Sequence, residues 1–239
     1  MVPQFKVISI GTLAANHLWD ESGTVRMPHA TSTLIEVSGK CILIDPSLPP
    51  QIMTARLAER TGKSPQEITH VFLTAFLPDR YRGIEAFGEA TWLVAPNERI
   101  AAESRLEKLA DDLLHADDEE LNDLVATQQT LLARCEDAPD RLAPGVDLFP
   151  LPGPTPGHCG LIISVPGHTV VVAGDSVAAQ EHLHLAQVLP ECADHELAQE
   201  SFREVIEIAD TIICGRDNML PNPVRGMGPR AGNTGALEA

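Results

Sequence analysis

The chain places its strand-length apolar runs in two blocks, with a stretch of helical periodicity between them. In the first block, residues 5–10, 33–37, 41–45, 68–73 and 91–95 are rich in Val, Ile, Leu and Phe and are bounded by Gly, Pro, Ser and Asp. In the second block, 148–151, 161–165, 169–173 and 211–214 repeat the pattern. Runs this short, with turn residues at both ends, are strands rather than helices. Ser38-Gly39-Lys40 makes a tight hairpin turn, and Pro166-Gly167 joins 161–165 to 169–173 in the same way. Apolar strands in two groups must cover their faces. The arrangement that does so is two sheets flanked by helices within one domain.

The helical signals agree. Residues 52–60 put Ile52, Ala55, Leu57 and Ala58 inward, and Ser64-Pro65-Gln66-Glu67 has the order of a capping box. Asp194 caps a helix running to Ile208. Between the blocks, Leu106, Leu109, Leu113, Leu121, Leu124, Gln128 and Leu131 keep helical spacing while acids fill the rest. Two helices broken near residues 115–117, with Asp117 as an N-cap signal, account for this segment. It reads as an acidic helical insertion at about 97–140 whose charge forms a solvated outer face, a better account than a binding surface. The domain then spans 1–221, and the Pro, Gly, Asn and Ala of 222–239 make a flexible tail.

A net charge of −17, from 34 acids against 17 Lys and Arg, disfavours nucleic acid and anionic membranes as partners. Five scattered cysteines with no C-x-x-C pair suit reduced thiols. The N-terminus lacks a basic segment followed by a long apolar run, and no stretch approaches a membrane span, so a cytoplasmic location is expected.

Chemistry in layered α/β proteins usually sits at the C-terminal ends of strands. There the stretch ITHVFLTAFLPDRYRG, residues 68–83, offers Ala75, Leu77 and Arg80, with Asp79 as the one conventional working group. Three further loops follow strands: 155–158, 174–176 and 215–218. In order and wording the four resemble the metallo-β-lactamase superfamily, whose first loop reads T-H-x-H-x-D-H. Here that loop is Thr74-Ala75-Phe76-Leu77-Pro78-Asp79-Arg80. Thr155-Pro156-Gly157-His158 matches the family's T-P-G-H, and Ala173-Gly174-Asp175 its A-G-D. Cys214-Gly215-Arg216 stands where the family has P-G-H. The hairpin region HATSTLIEVSGKCILIDPSLP and the closing SFREVIEIADTIICGRDN are similar as well. The resemblance implies an α/β fold, a four-layer αββα sandwich of two mixed β-sheets flanked by helices.

It also implies a site from which most zinc ligands have gone. By position Asp79, His158 and Asp175 remain, while Ala75, Leu77, Arg80 and Arg216 replace ligands. Zinc needs three or four N, S or O donors, and a permanently cationic guanidinium repels a metal. Removing about four metal charges would strand the carboxylates, and guanidiniums could compensate them. The expectation is therefore a metal-free pocket, with no catalytic residue assigned, closed by Arg80–Asp79 and Arg216–Asp175 contacts. A small anionic ligand would be held by the two arginines and His158, and self-association is compatible with the reading.

The alternative is a weak mononuclear hydrolase of esters, lactones or thioesters, with one zinc held by Asp79, His158 and Asp175 and water in the fourth position. His182 and His184 could add a ligand. Their i, i+2 spacing suits a strand or irregular loop, and two exposed loop histidines are the plainer account. Plainer roles exist for the others too: Asp79 capping a helix that begins near Tyr81, His158 satisfying backbone carbonyls, and Asp175 bonding loop amides. Cys159 beside His158 is a poor nucleophile–base pair, because neighbours on a strand face opposite ways. Ser176 lacks a G-x-S-x-G setting, and Gly153, Gly157 and Gly160 are not a dinucleotide fingerprint.

Overall fold

Alternation along the central strands decides the layering. In the computed structural model, which describes residues 1–113 and 119–225, the first six strands form one sheet in chain order. They are β1 (Gln4–Ser9), β2 (Ser32–Val37), β3 (Lys40–Ile44), β4 (His70–Leu73), β5 (Thr91–Val94) and β6 (Glu136–Asp137). Pairing is antiparallel from β1 to β3 and parallel from β3 to β6. The second sheet contains β7 (Arg141–Ala143), β8 (Val146–Pro150), β9 (Cys159–Val165), β10 (His168–Gly174), β11 (Thr211–Cys214) and β12 (Met219–Pro221), also in chain order. Only β10 and β11 run parallel there. Both sheets are mixed, as the resemblance implied.

Among the described residues, six α-helices complete the layers: α1 (Pro50–Thr61), α2 (Pro78–Tyr81), α3 (Pro96–Leu113), α4 (Glu119–Arg134), α5 (Gln180–Leu185) and α6 (His195–Ile208). Odd and even positions of a strand go to opposite faces. Ile42, Ile44 and Phe72 therefore meet Leu161, Ile163, Val170 and Val172 between the sheets. Leu43, Val71 and Leu73 point the other way, against Met53 and Leu57 of α1 and Ala102 and Leu106 of α3. On the far side Val171, Ala173 and Ile212 pack on Ala198, Phe202 and Val205 of α6. A strand covered on both faces needs a continuous apolar run, which is why 41–45 and 70–73 show no polar alternation. Each fully buried Leu, Ile or Phe contributes about 1.5–3 kcal/mol. The sandwich holds the ends of β3, β4, β10 and β11 at one rim.

The local signals mostly carried. Ser64 and Glu67 form the capping box, although the turn they cap is a single 3-10 turn, and the Asp194 carboxylate accepts from the Leu197 amide. Three strands were invisible in the sequence: β6, β7 and β12, each of two or three residues, are too short for a period to register. Between α3 and α4 the spacing misled in part. Leu106, Leu113, Val125, Gln128 and Leu132 are buried, whereas Leu109, Leu121 and Leu124 face solvent. The proposed break and its Asp117 cap fall outside the described residues. Past Pro221 the chain stays tied down, because the buried Asn222 amide donates to the carbonyls of Ile206 and Ala209, both at 2.7 Å. The rest of the expected tail, 226–239, lies outside the described residues. No helix among the described residues is long and apolar enough to cross a membrane.

Candidate functional site

At the rim, β3 ends on Asp45 and β4 on the loop that carries Thr74, Asp79 and Arg80. β10 ends on Asp175 and β11 on Arg216. Asp45 adopts a left-handed φ of 46°. A carboxylate residue tolerates that conformation better than most. The conformation turns the chain at the strand end, where both oxygens are held by Thr74: Oδ1 accepts from the Thr74 amide at 2.9 Å and Oδ2 from its hydroxyl at 2.7 Å.

Arg80 is fully buried. Its Nη1 donates to Asp45 Oδ2 and to Thr74 Oγ1, each at 2.8 Å, and its Nη2 lies against Asp175 Oδ2. Arg216 grips the same carboxylate from the other side, with Nε on Oδ1 and Nη2 on Oδ2, both at 2.9 Å. Its Nη1 donates to Asp79 Oδ2. The result is a chain of alternating charge, Asp45–Arg80–Asp175–Arg216–Asp79, three carboxylates against two guanidiniums. Arg80 thus pairs with Asp45 and Asp175, not with Asp79 as the sequence reading had it. That carboxylate went to Arg216, and the expected Arg216–Asp175 contact is present. Asp79 does not cap a helix near Tyr81 either, because α2 starts at Pro78 and Asp79 sits in its first turn.

Burial pushes the Asp175 carboxyl upward, but Arg216 and Arg80 more than offset it and hold it well below the usual carboxylate range. Both arginines are raised despite burial, chiefly by Asp175. Burial raises Asp45, against the pull of Arg80 and Thr74. Every group facing its oxygens is a donor, so the geometry fits the ionised form.

His158 is also enclosed. Its Nδ1 lies 3.1 Å from the Leu151 carbonyl, and its Nε2 accepts the Asp175 amide at 3.2 Å. That amide fixes the neutral tautomer with the proton on Nδ1. Burial and the nearby Arg80 push its pKa down to about 3. The close approach requires Gly174, whose φ is 53° and where a Cβ would stand 2.4 Å from Nε2. Asp175 therefore bonds His158 through its backbone while its carboxylate faces the arginines.

Ala75 is buried in the core, and neither it nor Leu77 carries a donor. Among the described residues, no group of three or more His, Cys, Asp and Glu side chains is placed to hold a metal ion. His182 and His184 lie on the helix α5, not on a strand or loop. Only His184 is exposed. His182 is buried edge-on against the His17 ring, with centroids 5.2 Å apart, and neither of its ring nitrogens has a hydrogen-bond partner among the described residues. The Cys159 thiol is buried on β9, which raises its pKa to about 12 and leaves it inert. Ser176 bonds the Leu151 carbonyl at 3.3 Å.

Two contributors escaped the sequence reading. Asp45 looked like an ordinary strand end. Glu98, fully buried in the first turn of α3, accepts the Phe76 amide at 2.8 Å and the Thr155 hydroxyl at 2.6 Å, which clamps the β4 loop to the loop carrying His158. An acid closing an apolar run just before a proline, and a Glu just inside a helix start, are the signals that could have marked them. A cavity of about 340 Å³ opens over the Arg216 end of the ion chain.

The chain matches the family model described as the metallo-beta-lactamase superfamily over residues 28–215. No curated protein matches it. Among solved structures it is similar to AidC, a dizinc quorum-quenching lactonase in complex with a product. Identity is 19%, the match covers 81% of this chain and 73% of that one, and the TM-score is 0.62. A Thermotoga maritima protein classed provisionally as a metallo-β-lactamase is 14% identical over 92% of this chain and 100% of its own, with a TM-score of 0.67. An AiiA variant of B. thuringiensis with N-decanoyl-L-homoserine bound is 18% identical, with 91% and 94% covered and a TM-score of 0.60. At such identities the likeness concerns the fold.

Proposed function

The chain belongs to the metallo-β-lactamase superfamily, and from that premise we propose that it is a metal-free, ligand-binding pseudoenzyme of that fold. One observation carries the reading: two guanidiniums sit between three carboxylates at the strand ends, Arg80 between Asp45 and Asp175 and Arg216 between Asp175 and Asp79.

The residues present do not fit a zinc centre. A carboxylate held bidentately by Arg216 and touched again by Arg80 has three of its roughly four acceptor positions taken, and turning it toward a metal would break a buried ion pair, at a cost of about 3–5 kcal/mol. His158 has its coordinating nitrogen occupied by the Asp175 amide. A divalent ion would also have to enter beside two fixed positive charges. The arginines do for the carboxylates electrostatically what metals would do, but they offer no open position for water and no Lewis acidity. The site is then a rigid floor beneath a cavity.

Metal analysis of protein purified without chelator, and again after incubation with excess zinc and desalting, tests this. The expected result is well under one equivalent in both samples, with no chelator-sensitive hydrolysis of lactones, esters or thioesters. A full equivalent that disappears in Asp175→Ala, together with such a hydrolysis rate, would establish the mononuclear hydrolase instead.

A further inference from the structure

We infer that the cavity over the ion chain takes a small organic cation with an apolar body, an alkylammonium in chemical class, rather than an anion. This rests on the metal-free reading and names the ligand class of that same site.

The argument begins with the sign of the walls. Asp79, Asp175 and Glu191 line the cavity, and Arg216 is the one cationic residue in its lining among the described residues. All three guanidinium nitrogens of Arg216 are already committed to carboxylate oxygens. Arg80 is sealed beneath the floor and does not reach the space. His158 is neutral and equally enclosed. An incoming carboxylate or phosphate would thus meet a guanidinium whose charge is already shared by two carboxylates, and would stand beside an ion chain carrying one excess negative charge as well as Glu191. For a cation the same groups are complementary. Asp79 spends only Oδ2 on Arg216, and its Oδ1 has no hydrogen bond among the described residues. Glu191 is exposed at the rim, and its carboxylate makes no hydrogen bond or ion pair among them.

The remaining wall supplies the second half of the specificity. Leu13, Ala14, Pro28, Leu77, Pro154 and Leu189 are apolar. The volume of about 340 Å³ lies at the small end of small-molecule sites, enough for one short chain or ring. The roof is preformed. The segment between β1 and β2 is fixed by the Glu21 carboxylate accepting from the Asn16 amide at 2.8 Å and pairing with Arg26, and by the amides of Val25 and Arg26 donating to the Ala14 carbonyl, both at 3.0 Å. A site that needs no ordering loses less affinity on binding.

Calorimetric titration at pH 7 with n-hexylammonium, n-hexanol and n-hexanoate, on protein whose metal content has been measured, tests the inference. n-Hexylammonium is expected to bind roughly two- to fivefold tighter than n-hexanol, the scale of one partly exposed ion pair, and n-hexanoate more weakly than either. Glu191→Gln, at the exposed rim and outside the ion chain, should erase most of that preference, and Ala14→Trp should abolish binding of all three by filling the space. Metal-free protein that binds n-hexanoate best, treats the ammonium and the alcohol alike, or binds none of the probes overturns the inference and leaves the pseudoenzyme reading standing. Protein that carries a full equivalent of metal overturns both.

Discussion

The two ends of the ion chain use the same chemistry in different surroundings. At one end Asp45 and Arg80 are sealed, with side chains 3% and 0% exposed, and Thr74 fills the remaining hydrogen-bonding positions. At the other end Asp79 and Arg216 border the cavity, with side chains 21% and 6% exposed. Asp175 lies between them and belongs to both. A sealed pair cannot be rescued by water when one member is lost, whereas an open pair can. The contrast separates a sealed joint from a pair that borders open space, although each is an aspartate facing an arginine.

The largest expected effect is at the sealed end. Arg80→Met should lower the unfolding free energy by about 3–5 kcal/mol, because Asp45 and half of Asp175 would stay buried without a partner. Urea unfolding at pH 7 measures it. A loss no greater than that of the equivalent change at Arg216 would erase the distinction between the two ends. Acid is the next largest perturbation. His158 titrates near 3 in the folded chain and near 6.5 when unfolded, so between those values the unfolded chain holds the extra proton. Stability therefore falls as pH drops through that window, by about 1.4 kcal/mol per unit, or roughly 3 kcal/mol between pH 7 and 4.5. His182, also lowered by burial, acts in the same direction. Asp175, lowered by its arginines, adds its share below the ordinary carboxylate pKa. Urea midpoints taken across this range should slope downward toward acid and flatten in His158→Asn. A flat wild-type profile would show that His158 is not buried neutral.

Much of this was legible before any coordinates. Thr155-Pro156-Gly157-His158 and Ala173-Gly174-Asp175 hold their places because backbone geometry demands them: Gly174 must approach His158, and a side chain there would collide. That Arg80 and Arg216 would pair with carboxylates was legible from type and position alone. Which carboxylate each would choose was not, since that depends on where β3 ends in space, and the partner that completes Arg80 comes from 35 residues upstream. Glu98 was hidden similarly, because its partners Phe76 and Thr155 are brought to it only by the packing of α3 across the loops. Helical spacing could not separate Leu106 from Leu109, as both satisfy the period and the face is selected by packing on the first sheet and on α4.

At the open end the expected effects shrink. Arg216→Met should cost about 2 kcal/mol, less than Arg80→Met, since Asp175 keeps Arg80 and Asp79 gains water. The same variant should also strengthen n-hexylammonium binding, because it removes the one positive wall. Unfolding curves and the calorimetric titration check the two halves, and weakened cation binding would mean that Arg216 positions Asp79 rather than opposing the ligand.

The smallest effect is expected at Asp79, and it discriminates most finely between the ends. Asp79→Asn leaves an amide oxygen that can still accept from Arg216 Nη1 and removes one partly solvated charge, so stability should change by less than about 1 kcal/mol. The matching change, Asp45→Asn, should cost several times more, because Arg80 would lose a sealed counter-charge and one of the two Thr74 contacts would face an amide N–H instead of an oxygen. Measured side by side in low and high salt, the Asp79 variant should lose its small deficit as screening rises, while the Asp45 variant should keep its own. Equal costs at the two positions, or equal salt dependence, would mean that the cavity does not admit water to Asp79 and that both ends of the chain are structural.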